Sequence, residues 1–261
     1  MSTLVKLVCV LCILGYVSSS YLQANYFTDT ASCSATTKAA ELYVPVNKCI
    51  AIPTIPSSFN ITIPFNSFKI STCTVNADSS VSTKINVYAS SSSCGGIGVP
   101  APADLPAGCD NGGTFSCPAS IASSESVTNN WPAVGTYFGD SACKSFDLML
   151  AAVDNQCTTI SEDTSAILKD TDTSLNVGVY SAAACSGTPT KDLSMTKGSC
   201  LNANSLVPPQ STQLYEMALE NIVSFFNKIG IKSIIGENEK KVEGSATVFV
   251  YGGNAKSIPG I

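Results

Sequence analysis

Eight cysteines, two in each of four repeat units, constrain this chain more than any other feature. They form four pairs in sequence: Cys33 and Cys49, Cys94 and Cys109, Cys143 and Cys157, Cys185 and Cys200. A tyrosine precedes each pair, at Tyr26, Tyr88, Tyr137 and Tyr180, in the strings YFTDTASC, YASSSSC, YFGDSAC and YSAAAC. Two further cysteines, Cys73 and Cys117, stand outside the repeat. Cysteine usage of this density and even number points to a disulfide framework, provided the chain passes through an oxidising compartment.

The N-terminus supplies that condition. Lys6 precedes an apolar run from Leu7 to about Val17, and the small residues Ser18 to Ser20 follow. A basic start, a short apolar core and small residues form the pattern of a secretory signal peptide. A membrane-spanning helix needs ~20 apolar residues, about twice this run. The expectation is a signal peptide over 1–20 and a secreted, extracellular domain over 21–261, which the repeat also allows to be divided into halves at 21–130 and 131–261. Cys9 and Cys12 leave with the leader, so 10 of the 12 cysteines remain and can form five bridges. The end YGGNAKSIPGI carries neither a hydrophobic anchor tail nor a retention tetrapeptide, so a released product is expected. Asn60-Ile61-Thr62 is an N-glycosylation sequon, expected on the surface of an exported glycoprotein.

The chain has no histidine, and all 14 of its cations are lysines. A nucleophile activated by imidazole is therefore excluded, as are histidine-held zinc, copper and haem. Arginine forks that grip phosphate or guanine are absent too. The net charge of −5 opposes a nucleic-acid partner. No cofactor and no metal are expected. The 19 carboxylates leave glycosidase chemistry as the one catalytic class open. Asp170-Thr171-Asp172 resembles the start of a calcium loop but lacks its glycine and closing glutamate, and a solvated turn is the better reading. Glu216 and Glu220, one helical turn apart, read as a solvated face.

Short β-compatible runs recur between turn residues: 60–64, 67–74, 83–88, 175–180 and 247–251. In STKINVY and SLNVGVY the larger apolar groups alternate, which gives a strand one buried and one solvated face. The expected fold is a mainly all-β, disulfide-stapled antiparallel β-sandwich of four irregular Tyr…Cys…Cys units. Within each unit a bridge closes a loop of about 15 residues, and Cys73 pairs with Cys117; spacing does not choose among the many alternative pairings. One C-terminal helix is expected over 212–228, where Leu214, Met217, Ala218, Ile222, Phe225 and Phe226 recur at helical spacing. Its polar face carries Glu216 and Glu220 rather than lysines, so packing against the sheet is expected and membrane insertion is not. Trp131, in NNWPAVG beside Asn129 and Asn130, either covers a core or stacks on a sugar.

These four strings, with their partner cysteines, resemble a secreted cysteine-repeat family of social amoebae that includes the counting factor-associated proteins. The resemblance runs from about residue 25 to 200. It implies an extracellular protein that associates with a cell-number-sensing complex and has no known catalytic residues. The functional expectation is a secreted, non-enzymatic protein whose partners are other extracellular proteins in such a complex. The alternative is a glycan-binding, lectin-like or extracellular matrix protein.

Overall fold

The computed structural model describes residues 20–29, 31–53, 65–110, 112–161, 164–182, 184–203 and 246–261. Among them, fifteen strands form three antiparallel sheets. In the first half, β1 (Tyr21–Phe27) and β2 (Lys38–Pro45) form a hairpin, followed by β3 (Cys49–Ala51), β4 (Ser67–Val75), β5 (Val81–Tyr88), β6 (Val99–Leu105) and β7 (Gly113–Ser116). In the second half, β8 (Pro132–Phe138) and β9 (Leu148–Ala152) precede β10 (Cys157–Ser161), β11 (Thr164–Asp170), β12 (Ser174–Tyr180), β13 (Lys191–Thr196), β14 (Cys200–Asn202) and β15 (Val248–Asn254). The large sheet has the order β14-β15-β8-β9-β2-β1-β7, and the two small sheets are β3-β4-β5-β6 and β10-β11-β12-β13. The runs foreseen at 67–74, 83–88 and 175–180 fall within β4, β5 and β12, and that at 247–251 overlaps β15 from Val248 onward. The run at 60–64, the sequon Asn60, the helix at 212–228 and the leader lie outside the described residues. The helical element described at the C-terminus is a 3-10 turn, Ala255–Ser257.

The alternation in the sequence sets the layers. Val81, Thr83, Ile85 and Val87 of β5, and Leu175, Val177 and Val179 of β12, are buried while their neighbours are not. These faces pack against Leu22, Ala24, Leu42, Val44, Val134, Leu148, Val248 and Val250 of the large sheet in one continuous core. The large sheet is covered on its other face as well. There Tyr43, Ala133, Tyr137, Met149 and Ala151 form a second cluster with Ile121, Val127, Phe146 and Ile258. All seven residues of β8 are buried, so the strand cannot show the polar alternation that marks a half-solvated one.

The two halves repeat one plan: a hairpin in the large sheet, a four-stranded meander, then a return to the large sheet. They join where β2 pairs with β9, and Leu42 stands opposite Leu150 there. Each leucine lies seven residues before an equivalent cysteine, Cys49 or Cys157, so a pseudo-two-fold axis passes between them. Local details repeat as well. Asn47 and Asn155, two residues before those cysteines, both take left-handed backbone, with φ of 65° and 57°. Their N–H groups donate to Ile70 O at 2.7 Å and Leu168 O at 2.8 Å. Asparagine tolerates this conformation better than most side chains.

The bridges are Cys33–Cys109, Cys49–Cys94, Cys73–Cys117, Cys143–Cys200 and Cys157–Cys185. The Cys73–Cys117 bridge is the expected one; the expected pairing inside each Tyr-led unit is corrected. The reason is geometric. Between Cys33 and Cys49 runs β2, between Cys94 and Cys109 β6, between Cys143 and Cys157 β9, and between Cys185 and Cys200 β13. A strand rises ~3.3 Å per residue, so five to eight residues hold their ends roughly 15–25 Å apart. A disulfide needs Cα atoms within ~7 Å. Two sequence units therefore combine into one half with nested bridges, outer to outer and inner to inner.

The tyrosines also divide. Tyr88 and Tyr180 end β5 and β12 on equivalent outer faces. Tyr26 and Tyr137 point to opposite faces of the large sheet, Tyr26 into the inner core and Tyr137 into the outer cluster. Tyr26 stands seven residues before Cys33, whereas Tyr137 stands six before Cys143, and an offset of one residue exchanges the faces.

All four first cysteines, Cys33, Cys94, Cys143 and Cys185, adopt φ between 46° and 55°. In the meanders, a fully buried serine positions this turn. Ser67 Oγ accepts from Cys94 N at 3.2 Å and donates to Ser91 O, and Ser165 Oγ accepts from Cys185 N at 2.8 Å and donates to Ala182 O. Replacing either serine by alanine removes the acceptor and leaves the cysteine N–H unmatched. Ser67→Ala and Ser165→Ala are each expected to cost about 1–3 kcal/mol in equilibrium denaturation. The two losses should add in the double variant, because the serines lie in separate sheets.

Candidate functional site

Among the described residues, the largest concentration of buried polar side chains lies on the outer face of β7-β1-β2. Gln23 and Asn25 on β1 and Glu41 and Tyr43 on β2 alternate with core residues, so all four leave the same face of the sheet. Gln23 Nε2 donates to Asn25 Oδ1 at 2.9 Å and Tyr43 Oη at 3.1 Å. Asn25 Nδ2 donates to Thr114 Oγ1 at 3.1 Å, and Ser116 Oγ to Gln23 Oε1 at 2.9 Å. Glu41 is fully buried. Its Oε2 accepts from Tyr43 Oη at 2.5 Å and from the backbone N–H of Ser126 at 3.1 Å, while Lys38 Nζ lies 3.1 Å from Oε1. Lys38 also reaches Glu125 at 3.3 Å.

Ser126 belongs to a single-turn helix, α1 (Glu125–Thr128), whose N-cap is Ser124. Glu41 thus fastens the segment 118–131 to the sheet by accepting from the first turn of this helix. Burial, and then the neighbouring Glu41 charge, raise the Tyr43 phenol well above its ordinary value, which keeps it a hydrogen-bond donor.

A second buried carboxylate joins the halves. Asp147, 3 % exposed, accepts from Phe138 N at 2.6 Å and pairs with Lys48 at 2.9 Å. Lys48 comes from the first half, beside Cys49, and also donates to the carbonyls of Ser145 and Phe146. Desolvation raises the Asp147 carboxyl against the opposing pull of Lys48 and Phe138 N–H.

Partly exposed aspartates hold the turns before two of the first cysteines, Cys33 and Cys143. Asp29 accepts from Ala31 N at 3.0 Å and Ser32 N at 3.3 Å. Asp140 accepts from Ala142 N at 3.1 Å, Lys144 N at 2.7 Å and Ser145 N at 3.2 Å. The Ser32 hydroxyl, followed by the backbone donors, holds Asp29 below the usual carboxylate range. For Asp140 a desolvation cost is outweighed by its backbone donors, with the same net direction.

Of the residues singled out in the sequence, Trp131 is corrected as a sugar platform. It is 7 % exposed and packs in the outer cluster with Ile121, Val127 and Ile258, while its carbonyl accepts from Ala255 N at 2.7 Å. Too little of the indole reaches solvent for a sugar ring to stack on it. Asp170 is the last residue of β11 and pairs with Lys197 at 2.8 Å, both side chains partly buried. Glu216 and Glu220 lie outside the described residues. Among the described residues, no group of three metal-ligating side chains comes together, and no helix is long and apolar enough to cross a membrane. The cavity between Leu42, Leu150 and Leu168 is small and mainly apolar.

The Glu41 and Asp147 clusters were missed in the sequence because single acidic residues inside apolar runs carry no spacing signal. The available trace was the alternation in YLQANYF and AAELYV, with Gln, Asn and Glu on one face. Both clusters supply charge-assisted hydrogen bonds that hold loops on the sheet. No protein-family model, curated protein or solved structure matches the chain.

The carboxylates generate opposite pH responses. Asp29 and Asp140 bind protons less tightly folded than unfolded, so their contribution is fully present above the unfolded pKa and is lost as pH falls through the folded one. Asp147 binds its proton more tightly when folded, so its contribution is full at low pH and is lost as pH rises through the folded value. Denaturation between ~pH 2 and ~pH 6 should show a shallower acid loss in the Asp29→Asn/Asp140→Asn variant and a steeper one in Asp147→Asn. Unchanged slopes would contradict these assignments.

Proposed function

We propose that this chain is a secreted, non-enzymatic extracellular protein that acts by binding other extracellular components, as a constituent or associate of a counting factor-like, cell-number-sensing complex. The observation that carries the reading is the set of five disulfides tying strand to strand through both halves. Such bridges persist in oxidising compartments and suit a rigid display scaffold. A leader removed near Ser20 and a glycan on Asn60 belong to the same proposal.

The buried polar groups support the non-enzymatic part. Glu41 and Asp147, the most enclosed carboxylates described, each pair with a lysine and accept a backbone N–H. Glycosidase chemistry needs two carboxyls facing one bond across a cleft. Here one binds a loop and the other binds a strand and the neighbouring half.

A specific observation favours glycan binding as the second reading. Tyr88 and Tyr180 are partly exposed at equivalent ends of the small sheets. A Cβ at Gly98 would lie 2.8 Å from the Tyr88 ring, and one at Gly178 would lie 3.4 Å from the Tyr180 ring. Each ring rests on a bare backbone, an arrangement suited to stacking against an apolar sugar face.

Size-exclusion of native secreted material tests the reading. Elution well above the size of a dimer of this chain, together with other secreted proteins, is expected. A free protein that binds glycans, with binding lost in Tyr88→Ala/Tyr180→Ala, would instead carry the second reading. Polysaccharide turnover abolished by Glu41→Gln or Asp147→Asn would overturn the non-enzymatic assignment.

A further inference from the structure

The two halves are unequally filled where they meet. A cavity lies between the seam leucines, Leu42 and Leu150, and the second small sheet, where Thr158 of β10 and Ala166 and Leu168 of β11 line it. On the large sheet it is closed by Tyr26 and by the opposed pair Ala40 and Ala152. Its walls are mainly apolar, and about 10 Å³ of it is open to the centre of a water-sized sphere. That is room for one small molecule.

The pseudo-two-fold axis gives each of these positions a mate in the other half. Tyr26 stands opposite Ala40, as Thr136 stands opposite Leu148. Thr158 stands opposite Ala166, as Ile50 stands opposite Phe68. Ala152 and Val44 each lie five residues before the inner cysteine of their half, Cys157 or Cys49. Leu168 corresponds to Ile70, since their carbonyls accept from the matching Asn155 and Asn47. At the mated place Val44, Ile50, Phe68 and Leu148 pack into the core, each no more than 2 % exposed. Around the cavity Ala152, Thr158, Ala166 and Ala40 stand in their positions, and Tyr26 in place of Thr136 returns only part of the lost volume.

Thr158 adds a chemical signature. It is 5 % exposed, and its Oγ1 has no hydrogen-bond partner among the described residues. A buried hydroxyl left unmatched costs stability, a cost that the isoleucine at the mated position avoids. A water needs two to four polar partners, and these walls offer little beyond the one hydroxyl. We propose that the cavity is a binding site for a compact, mainly apolar molecule with one hydrogen-bonding end, which Thr158 Oγ1 meets. Leu42, Leu150 and Leu168 receive the apolar body. An occupant sits on the seam, so it ties β10 and β11 to β2 and β9 and stabilises the joined halves.

The test is methyl NMR of the purified mature protein with two guests, xenon for the apolar space and ethanol for the hydroxyl. Xenon should shift the methyls of Leu42, Leu150 and Leu168 saturably and leave those of Ile50 and Ile70 unmoved. Ala152→Val combined with Thr158→Ile, which copies Val44 and Ile50, should abolish that response with unchanged circular dichroism. Thr158→Val keeps the shape and removes the hydroxyl. It should leave the xenon response as it is and weaken ethanol binding about fivefold, the worth of one neutral hydrogen bond. A xenon response no larger at the three leucines than at Ile50 and Ile70, a response that survives the filled variant, or an ethanol affinity that ignores Thr158→Val would each overturn the proposal.

Discussion

A β-strand holds its two ends apart, and that constraint decides how the ten described cysteines can pair. Each Tyr-led unit places one strand between its cysteines, so neither can reach the other. The bridges run instead between the loops of neighbouring strands, over sequence separations of 28 to 76 residues. In the chain-entropy account, a bridge over such a span limits the unfolded chain by roughly 3.5–4.5 kcal/mol, against about 3 kcal/mol for a loop of 15 residues. The nested arrangement therefore restrains the unfolded state more than four local loops would. It also fixes each meander to the hairpin that precedes it.

The remaining polar chemistry of the interior serves the same end. Glu41 draws the segment around α1 onto the outer face, where Trp131, Val127 and Ile121 close the second cluster. Lys48 crosses from the first half to Asp147 and the carbonyls beside it. Leu42 and Leu150 meet at the seam between the halves. A large sheet covered on both faces needs these attachments, because its outer face would otherwise expose Tyr43, Tyr137 and Met149.

Much of this architecture was legible in the sequence. The alternation in STKINVY and SLNVGVY identified β5 and β12 and their buried faces, and cysteine number with composition pointed to a stapled antiparallel fold. Strands buried on both sides, such as β8, were harder to read, because PAVGTYF shows no alternation. The pairing of Cys33 with Cys109 was not readable either, since it depends on β1 and β7 becoming neighbours in the large sheet. Tyr26 and Tyr137 looked equivalent as letters, and a one-residue difference in their spacing to the following cysteine places them on opposite faces. Trp131 stood out for its rarity, yet its surroundings, drawn from residues 121 to 258, make it part of a core. Glu41 and Asp147 gave no local signal because their partners come from other strands and loops.

The account stands or falls on the nested bridges, and peptide mapping without reduction reads them directly. Cleavage after lysine places Cys157 alone in the peptide 145–169, Cys185 alone in 170–191 and Cys200 alone in 198–228. The structure predicts 145–169 joined to 170–191 and to nothing else, released as two peptides on reduction. Recovery of 170–191 joined to 198–228 would restore pairing within the sequence units and contradict the fold's central constraint.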